Sequence, residues 1–371
     1  MAILIVDHDN QNIILLKKAL HDIGYNETIE SSSRLGTFEL LKQHYQNIDL
    51  ILLNIMMPNI DGVQLCQKIY TNEKYNDIPI IIMTTSSENE FIEDAFEAGA
   101  TDYITKPINI VELKTRVKLV LRIKKETDER KKRENQIDRD LQLAKTIQKS
   151  VLSPTLHDDH IQINGVYLPS EHIGGDMYCW FKIDHHRYGI MLIDVMGHGI
   201  ASALISMSVR ALLRGMITRL KDPELVIPEL NKHVHNLFMN ESWVSYYLTC
   251  FYIVVDTMTE TIEYANAGHP KGFLMNKDKI VSLEQTTVFL GMFPSVPVNK
   301  QTLKYEKNSK IILYTDGLID ALQIPLLKND GAVFYDYLVE DNHALLEKLV
   351  TSNQLQHRKY GDDVCIVSVS V

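Results

Sequence analysis

Short apolar segments alternate with helical patterns along residues 1–121, and this alternation constrains the fold more than any other feature of the 371-residue chain. The apolar segments include AILIVD, DLILLN and IPIIIMTT, and the stretches between them, such as NIILLKKALHDIG, repeat apolar residues at helical spacing. Strands that are apolar throughout and alternate with helices form a parallel sheet that is covered on both faces. We therefore predict an α/β doubly wound parallel-sheet domain over residues 1–121.

A charged stretch, RIKKETDERKKRE, follows at residues 122–134 and contains neither Pro nor Gly. Apolar residues recur at helical spacing on both sides of it, namely Leu113, Val117 and Val120 before it and Ile137, Leu141, Ala144, Ile147 and Val151 after it. The pattern predicts a helical linker over residues 122–153. Its spacing favours a parallel coiled-coil dimer, and a solvated spacer helix in a monomer is the alternative.

Residues 154–371 begin with a helix-ending proline, Pro154, and then alternate strand patterns with turns. Helical patterns interrupt them near residues 199–219, 223–240 and 341–354. This arrangement predicts an α+β domain with antiparallel sheets.

Composition limits the function classes. The net charge of −10 argues against a nucleic-acid surface, which needs clustered Lys and Arg. The four cysteines are far apart and form no CxxC pair, as in a protein of a reducing compartment. The N-terminal apolar run is too short for a signal peptide, and no run of about 18 apolar residues occurs. We expect a cytoplasmic protein with no nucleic-acid or membrane partner.

Residues 1–121 carry the motifs LIVDHD, DLILLNIMMPNIDG, PIIIMTTS and GATDYITKPI, and they resemble the response-regulator receiver family. The resemblance puts the family's acid pair at Asp7 and His8 and its phosphoacceptor at Asn54. It puts the hydroxyl at Thr84, the switch aromatic at Tyr103 and the lysine at Lys106. Two of the three carboxylates are therefore replaced. We expect a pseudo-receiver that is not phosphorylated at residue 54 and that acts in docking, dimerisation or the response to another signal.

Four further segments place aspartates where apolar strands meet turns: HIGGDMY, MLIDVMGHG, IILYTDGLID and KYGDDVCIVSV. One Asp-Gly pair is ordinary turn chemistry, but four such segments would gather carboxylates at one edge of the sheets. Unpaired carboxylates share a site of low dielectric constant only with cations. Carboxylate and carbonyl oxygens suit Mg²⁺ or Mn²⁺. The Gly-Gly pair before Asp176 and the glycine after Met196 permit close approach of the backbone to such ions.

Residues 140–371 resemble the PPM protein phosphatases, specifically the SpoIIE-like branch, through LQLAKTIQKSVLSP, GGDMY, IDVMGHGIASAL, YANAGHP, LYTDGLIDA and GDDVCIVSV. The resemblance implies two metal ions that activate a water to attack phosphorus, without a covalent intermediate. It implies that the catalytic acids and metal ligands are Asp176, Asp194, the carbonyl of Val195, Asp316 and Asp362, with Asp363 as an additional or indirect ligand.

Two histidines and two arginines stand near these motifs. His198 is a candidate to contact phosphate or to protonate the leaving group, and a loop histidine without chemistry is the alternative. His269 is expected to be structural. Arg210 and Arg214 are four residues apart, which fits salt bridges on a helix, so no phosphate-binding residue is assigned.

The resemblances together imply a metal-dependent serine/threonine phosphatase of a bacterial partner-switching pathway. Its implied substrate is a phosphoserine anti-sigma-factor antagonist, a STAS-domain protein. The alternative is a non-catalytic scaffold in which both domains are docking modules. The phosphatase acids all survive while the receiver acids do not, and this contrast favours the enzyme.

Overall fold

The structure is a computed structural model that describes residues 2–58, 60–85, 89–238, 246–277, 279–322 and 361–371. The chain divides into an N-terminal unit, Met1–Ile137, and a C-terminal unit, Asp138–Val371. The helix predicted near 341–354 lies outside the described residues.

The N-terminal unit alternates strands and helices along the chain. In chain order its elements are β1 (Ala2–Val6), α1 (Asn10–His21), β2 (Glu27–Ser31), α2 (Arg34–His44), a 3₁₀ helix (Tyr45–Asn47), β3 (Ile48–Asn54), β4 (Met56–Met57), β5 (Ile60–Asp61), α3 (Gly62–Tyr70), β6 (Ile80–Thr85), α4 (Asn89–Glu97), β7 (Asp102–Lys106) and α5 (Ile110–Val151). Five strands form one parallel sheet in the order β2-β1-β3-β6-β7. This confirms the predicted doubly wound sheet.

Buried side chains cover both faces of this sheet. One face packs residues such as Leu53 and Ile82 against Leu65 of α3. The other face packs Ile5 and Leu52 against helices α1 and α5. Because the strands are buried on both faces, they are apolar throughout and do not alternate with polar residues.

Helix α5 is 42 residues long, and the boundary between the two units falls within it. It begins at Ile110, earlier than the linker predicted from residue 122. Leu113, Val117 and Val120 are buried in the core of the N-terminal unit, so they are not available for the dimer seam that their spacing indicated. Four ion pairs spaced i, i+4 support the exposed middle of the helix: Arg122–Glu126, Lys124–Asp128, Lys125–Glu129 and Arg130–Glu134.

The C-terminal unit is mostly strand. After the end of α5 its elements are β8 (Leu156–Asp158), β9 (Ile161–Leu168), β10 (Met177–Lys182), β11 (Arg187–Val195), α6 (Ile200–Leu220), α7 (Pro223–Phe238), β12 (Leu248–Asp256), β13 (Thr261–Ala267), β14 (Gly272–Met275), β15 (Ile280–Leu283), β16 (Gln301–Lys304), β17 (Lys310–Tyr314), α8 (Gly317–Leu322) and β18 (Val364–Ser370). Two antiparallel sheets result, with the orders β10-β11-β12-β13-β16 and β15-β14-β17-β18-β9-β8.

The two antiparallel sheets pack face to face. Ile190 and Phe251 from the first sheet share a buried core with Leu313 and Val367 from the second. Helices α6 and α7 cover the outer face of the first sheet, and α8 covers part of the outer face of the second. The fold class predicted for this part of the chain is confirmed.

Helix α6 is the one helix among the described residues that is long and apolar enough to cross a membrane, by length and composition alone. Its residues Val209, Leu213, Met216 and Ile217 are buried in the core that it shares with the first sheet. These contacts are those of a core helix, which passes the same length and composition test.

Candidate metal centre

Strand pairing brings the first two predicted acids together. Strands β10 and β11 are antiparallel, with Met177 opposite Ile193. Continuing that register by one residue sets Asp176, which directly precedes β10, opposite Asp194 near the end of β11. Asp176 is buried, with 2% of its surface exposed, and Asp194 is half-buried.

The second sheet supplies the other acids in the same way. Strands β17 and β18 are antiparallel, with Tyr314 opposite Ile366. Asp316 follows β17, and Asp362 and Asp363 precede β18, so the register carries them to the same end of the sheet. Asp363 is buried, Asp362 is half-buried and Asp316 reaches the surface.

The carboxylates of the two sheets are close enough to affect one another's pKa values. Burial raises the pKa of Asp176 well above its usual value, and the charge of Asp194 raises it further. Burial raises the pKa of Asp194 to about 7, with further contributions from Asp316 and Asp362. Burial also raises the pKa of Asp362, to which Asp316 adds. Carboxylates whose charges raise the pKa values of their neighbours carry a surplus of negative charge that a cation would offset.

The backbone around Asp176 is closely packed. A Cβ atom added to Gly175 would lie 2.7 Å from the carbonyl oxygen of Val195, and one added to Gly174 would lie 2.0 Å from Oδ2 of Asp363. Only glycine fits at either position without displacing these atoms. The Gly-Gly pair therefore lets the Asp176 loop reach the end of β11, and the predicted close approach of this backbone to metal ions stays a prediction.

The donor set suits a hard divalent cation. Oδ2 of Asp176 is buried and has no hydrogen-bond partner, so this oxygen is available as a ligand. Among the described residues, no three His, Cys, Asp or Glu side chains are grouped closely enough to form a complete metal site. The residues that would hold a cation are Asp176, Asp194, Asp316, Asp362 and the carbonyl of Val195, and their role as ligands remains a prediction.

Asp363 differs from the other four aspartates because its carboxylate is hydrogen-bonded to the loop before Asp176. Its Oδ1 accepts hydrogen bonds from the backbone N–H and the hydroxyl of Ser170, at 2.8 and 3.0 Å. Its Oδ2 accepts the N–H of Gly175 at 2.7 Å. Both carboxylate oxygens thus bind the loop before Asp176, and we expect Asp363 to act through that loop and not as a direct ligand.

His198 lies at the exposed rim of the acid cluster. Its side chain is 57% exposed, and its Nδ1 is 3.5 Å from the carboxylate of Glu171. It is close enough to Asp362 to oppose the rise in that residue's pKa. A contact with substrate phosphate therefore remains a prediction for His198.

His269 is buried and contributes to the fold, in agreement with its expected role. Its Nδ1 is 2.7 Å from the hydroxyl of Thr249, and its backbone N–H donates to Oδ1 of Asn266 at 2.9 Å. Arg210 donates from Nε to the carbonyl of Val151 at 3.0 Å, and its guanidinium lies over the ring of Phe181. Arg210 is therefore occupied by contacts within the protein.

Gln148 contacts the Asp176 loop, although no motif in the sequence assigned a role to it. Gln148 is 3% exposed and exchanges two hydrogen bonds with the backbone of Gly174. A signal was present, because Gln148 follows Leu141 and Ala144 at helical spacing and is thus a polar residue on an otherwise apolar face.

The receiver-like residues form a separate pocket in the N-terminal unit. Asp7 is fully buried, and its Oδ1 accepts a hydrogen bond from Nδ2 of Asn54 at 2.9 Å. Its Oδ2 is 3.4 Å from Nζ of Lys106 and 3.3 Å from Nδ2 of Asn12. His8 is partly exposed, with Nδ1 3.4 Å from Asp7. Asp7, the only carboxylate among the predicted pocket positions, therefore accepts hydrogen bonds from two amides and forms an ion pair with one lysine.

The remaining receiver positions lie around this pocket. Thr84 is buried at the end of β6. Tyr103 packs edge-to-face on Phe96, and the guanidinium of Arg116 lies 5.4 Å from the centre of its ring. Arg116 also donates to both carboxylate oxygens of Asp102. The predicted switch aromatic is thus packed between α4 and α5.

Comparison with known families agrees with both units. The model of the response regulator receiver domain matches residues 3–118. The model of Stage II sporulation protein E (SpoIIE) matches residues 184–371, just over half of the chain. The chain belongs to the SpoIIE family. The matched residues of this SpoIIE-family chain include Asp194, Asp316 and Asp362, whereas Asp176 precedes them.

Individual relatives match one part of the chain each. The phosphoserine phosphatase RsbP of Bacillus subtilis is 38% identical over 242 residues, which are 63% of this chain and 58% of RsbP. The transcriptional regulatory protein YvrH of Bacillus subtilis is 33% identical over 121 residues, which are 33% of this chain and 49% of YvrH. The SpoIIE-family chain thus spans less than two thirds of each of these relatives.

Among solved structures, the SiaA-PP2C domain of Pseudomonas aeruginosa has a TM-score of 0.53 at 20% identity. The match covers 64% of this chain and 98% of that domain. At this identity the similarity establishes the fold of the C-terminal unit.

Proposed function

We propose that this chain is a metal-dependent protein serine/threonine phosphatase. The observation that carries the proposal is the approach of Asp176 and Asp194 from one sheet to Asp316 and Asp362 from the other. In addition to burial, the charges of Asp316 and Asp362 raise the pKa of Asp194, and the charges of Asp194 and Asp362 raise that of Asp176. Membership of the SpoIIE family and the similarity to a phosphoserine phosphatase support the same activity.

The residues of the site have distinct tasks in this proposal. The four aspartates and the carbonyl of Val195 hold two Mg²⁺ or Mn²⁺ ions, which supply an activated water when they are bound. Asp363 fixes the loop that carries Asp176. His198, at the exposed rim beside Glu171, contacts the phosphate or gives a proton to the leaving serine oxygen.

The proposed substrate is a phosphorylated serine on a STAS-domain anti-sigma-factor antagonist, within a cytoplasmic partner-switching pathway. Support comes from RsbP, which is named for phosphoserine hydrolysis. Residues 1–121 serve as a receiver-like domain that is not phosphorylated, residues 122–153 as the linker and residues 154–371 as the phosphatase domain. The linker joins two copies of the chain as a coiled coil.

The test uses the purified full chain, Mn²⁺ and a serine-phosphorylated STAS-domain protein. Phosphate release should stop in EDTA and fall by about 100-fold or more in Asp194→Asn and Asp316→Asn, because each change removes an anionic ligand. Asp159→Asn, a change at an exposed turn, is the matched control and should retain activity. Full activity in EDTA would contradict the proposal. Binding of the STAS-domain protein without phosphate release would favour the scaffold.

A further inference from the structure

The side chain of Gln148, near the C-terminal end of α5, contacts the backbone of the Asp176 loop. Nε2 of Gln148 donates to the carbonyl of Gly174 at 2.6 Å, and the N–H of Gly174 donates back to Oε1 of Gln148 at 3.2 Å. The hydroxyl of Tyr167 donates to the same Oε1 at 3.0 Å and fixes the orientation of the amide. All of these contacts are buried, where hydrogen bonds define a geometry most strictly.

The next residue of the loop is held from a second direction. Gly175 donates its N–H to Asp363, so the two glycines that precede Asp176 are fixed by side chains from different elements. Asp176 follows at once, with a buried Oδ2 that has no hydrogen-bond partner. The position of that oxygen therefore depends on the backbone that Gln148 and Asp363 hold.

We propose that Gln148 is a positioning residue for the metal centre, which fixes Gly174 and through it the carboxylate of Asp176. The inference rests on the proposed metal site. Only a side chain that both donates and accepts can satisfy the N–H and the C=O of one residue, and the amide of glutamine does so. Its neighbours on α5, Ile147 and Lys149, are exposed and cannot replace it.

The end of α5 has other attachments that do not involve Gln148. The carbonyl of Val151 accepts from Arg210, and Ser153 exchanges hydrogen bonds with the backbone of Trp180. A substitution at residue 148 should therefore leave this segment docked. The expected defect is confined to the loop and to its affinity for metal.

The decisive experiment compares Gln148→Met with Gln142→Met in the full chain. Both changes replace a glutamine of α5 by an apolar side chain of similar length, but Gln142 is exposed. Calorimetric titration with Mn²⁺ alone should show affinity lowered by about 10- to 100-fold for Gln148→Met and unchanged for Gln142→Met. The Mn²⁺ concentration for half-maximal phosphatase activity should rise in the same ratio, with kcat at saturating Mn²⁺ largely retained.

Tyr167→Phe provides a second variant that keeps the amide and removes the hydroxyl that orients it. Its Mn²⁺ affinity should lie between those of the wild type and Gln148→Met. If Gln148→Met does not fold, the Mn²⁺ affinity of Tyr167→Phe tests the inference. Wild-type Mn²⁺ affinity in the folded Gln148→Met and Tyr167→Phe proteins would overturn the inference. If the wild-type protein binds Mn²⁺ but shows no phosphatase activity, the proposed function is refuted. The role of Gln148 is then still tested, because calorimetry measures Mn²⁺ affinity without activity.

Discussion

Asn54 stabilises the one buried carboxylate of the receiver pocket by direct hydrogen bonding. Its amide donates to Oδ1 of Asp7, while Lys106 approaches Oδ2. A hydrogen bond to a charged acceptor contributes about 1.5–3 kcal/mol. Asp7 and Lys106 also balance each other in charge, so these residues need no added cation.

The substitution Asn54→Asp should reverse this balance. It replaces a donor with a second carboxylate beside buried Asp7, so we expect the N-terminal unit to lose about 1–3 kcal/mol of unfolding free energy in metal-free buffer. Added Mg²⁺ should restore part of the loss. Thermal unfolding with and without Mg²⁺ measures both effects.

Asn12→Asp is the matched control, because Asn12 also donates to Asp7 but is partly exposed, and its effect should be smaller.

Labelling from acetyl phosphate should be absent in the wild type, slight in Asn54→Asp and greater when His8→Asp is added. Hydroxylamine-labile phosphate on residues 1–121 of the wild type would contradict the pseudo-receiver prediction.

His269 gives a pH-dependent contribution to the stability of the C-terminal unit. Burial lowers its pKa to about 3, against a smaller opposing effect of the Tyr314 backbone. Between the unfolded pKa of about 6.5 and the folded value, the unfolded chain binds a proton that the folded chain does not. Stability should therefore be full above pH 6.5 and fall as the pH decreases.

Comparison with His269→Gln isolates this contribution from that of the aspartates. The wild-type advantage in unfolding free energy should shrink by about 2 kcal/mol between about pH 7.5 and about pH 5. Denaturant unfolding of both proteins at the two pH values measures it. An advantage that stays constant would show that His269 is not buried in its neutral form.

At the scale of elements, α5 contains two kinds of apolar residue. Leu113 and Val117 pack into the core of the N-terminal unit, whereas Ile123, Ile137 and Ile147 are 53%, 58% and 51% exposed. Ile123 and Ile137 are two heptads apart, and Ile147 lies ten residues after Ile137. The three residues therefore fit a and d positions of one heptad register, as in a coiled coil. The helix was predictable from the sequence. The spacing of apolar residues, however, indicates only that one face of the helix is buried, and it does not identify whether the same domain or a second chain covers that face.

Ile137→Lys should therefore convert the proposed dimer to a monomer, because it puts a charge in the centre of the seam. Leu143→Lys is the matched control, since Leu143 is equally exposed, at 61%, but lies outside the seam positions. Light scattering of the full chain gives the mass of each variant. A wild-type chain with the mass of one copy would refute the coiled-coil prediction.

At the scale of the whole molecule, both folds and the positions of the acids at strand ends could be predicted from the sequence, because each depends on local patterns. Asp176 and Asp194 follow from strand ends and turn glycines that are visible in the sequence. Gln148 and the hydrogen bonds of Asp363 depend on segments far apart in the chain, Asp363 being 188 residues from Gly175. Such contacts arise from tertiary packing, and no single segment encodes them.

The continuity of α5 across the unit boundary has a consequence for proteolysis. Seven Lys and Arg residues lie between positions 122 and 133, so this stretch is rich in trypsin sites. Proteases cleave preferentially in exposed loops, where the backbone can become extended, and every one of these residues is helical. Brief trypsin treatment of the native protein should leave residues 122–133 uncut, and urea should expose them, as mass spectrometry of the fragments would show. The junction is then protected by its helical backbone, even though its side chains are in water.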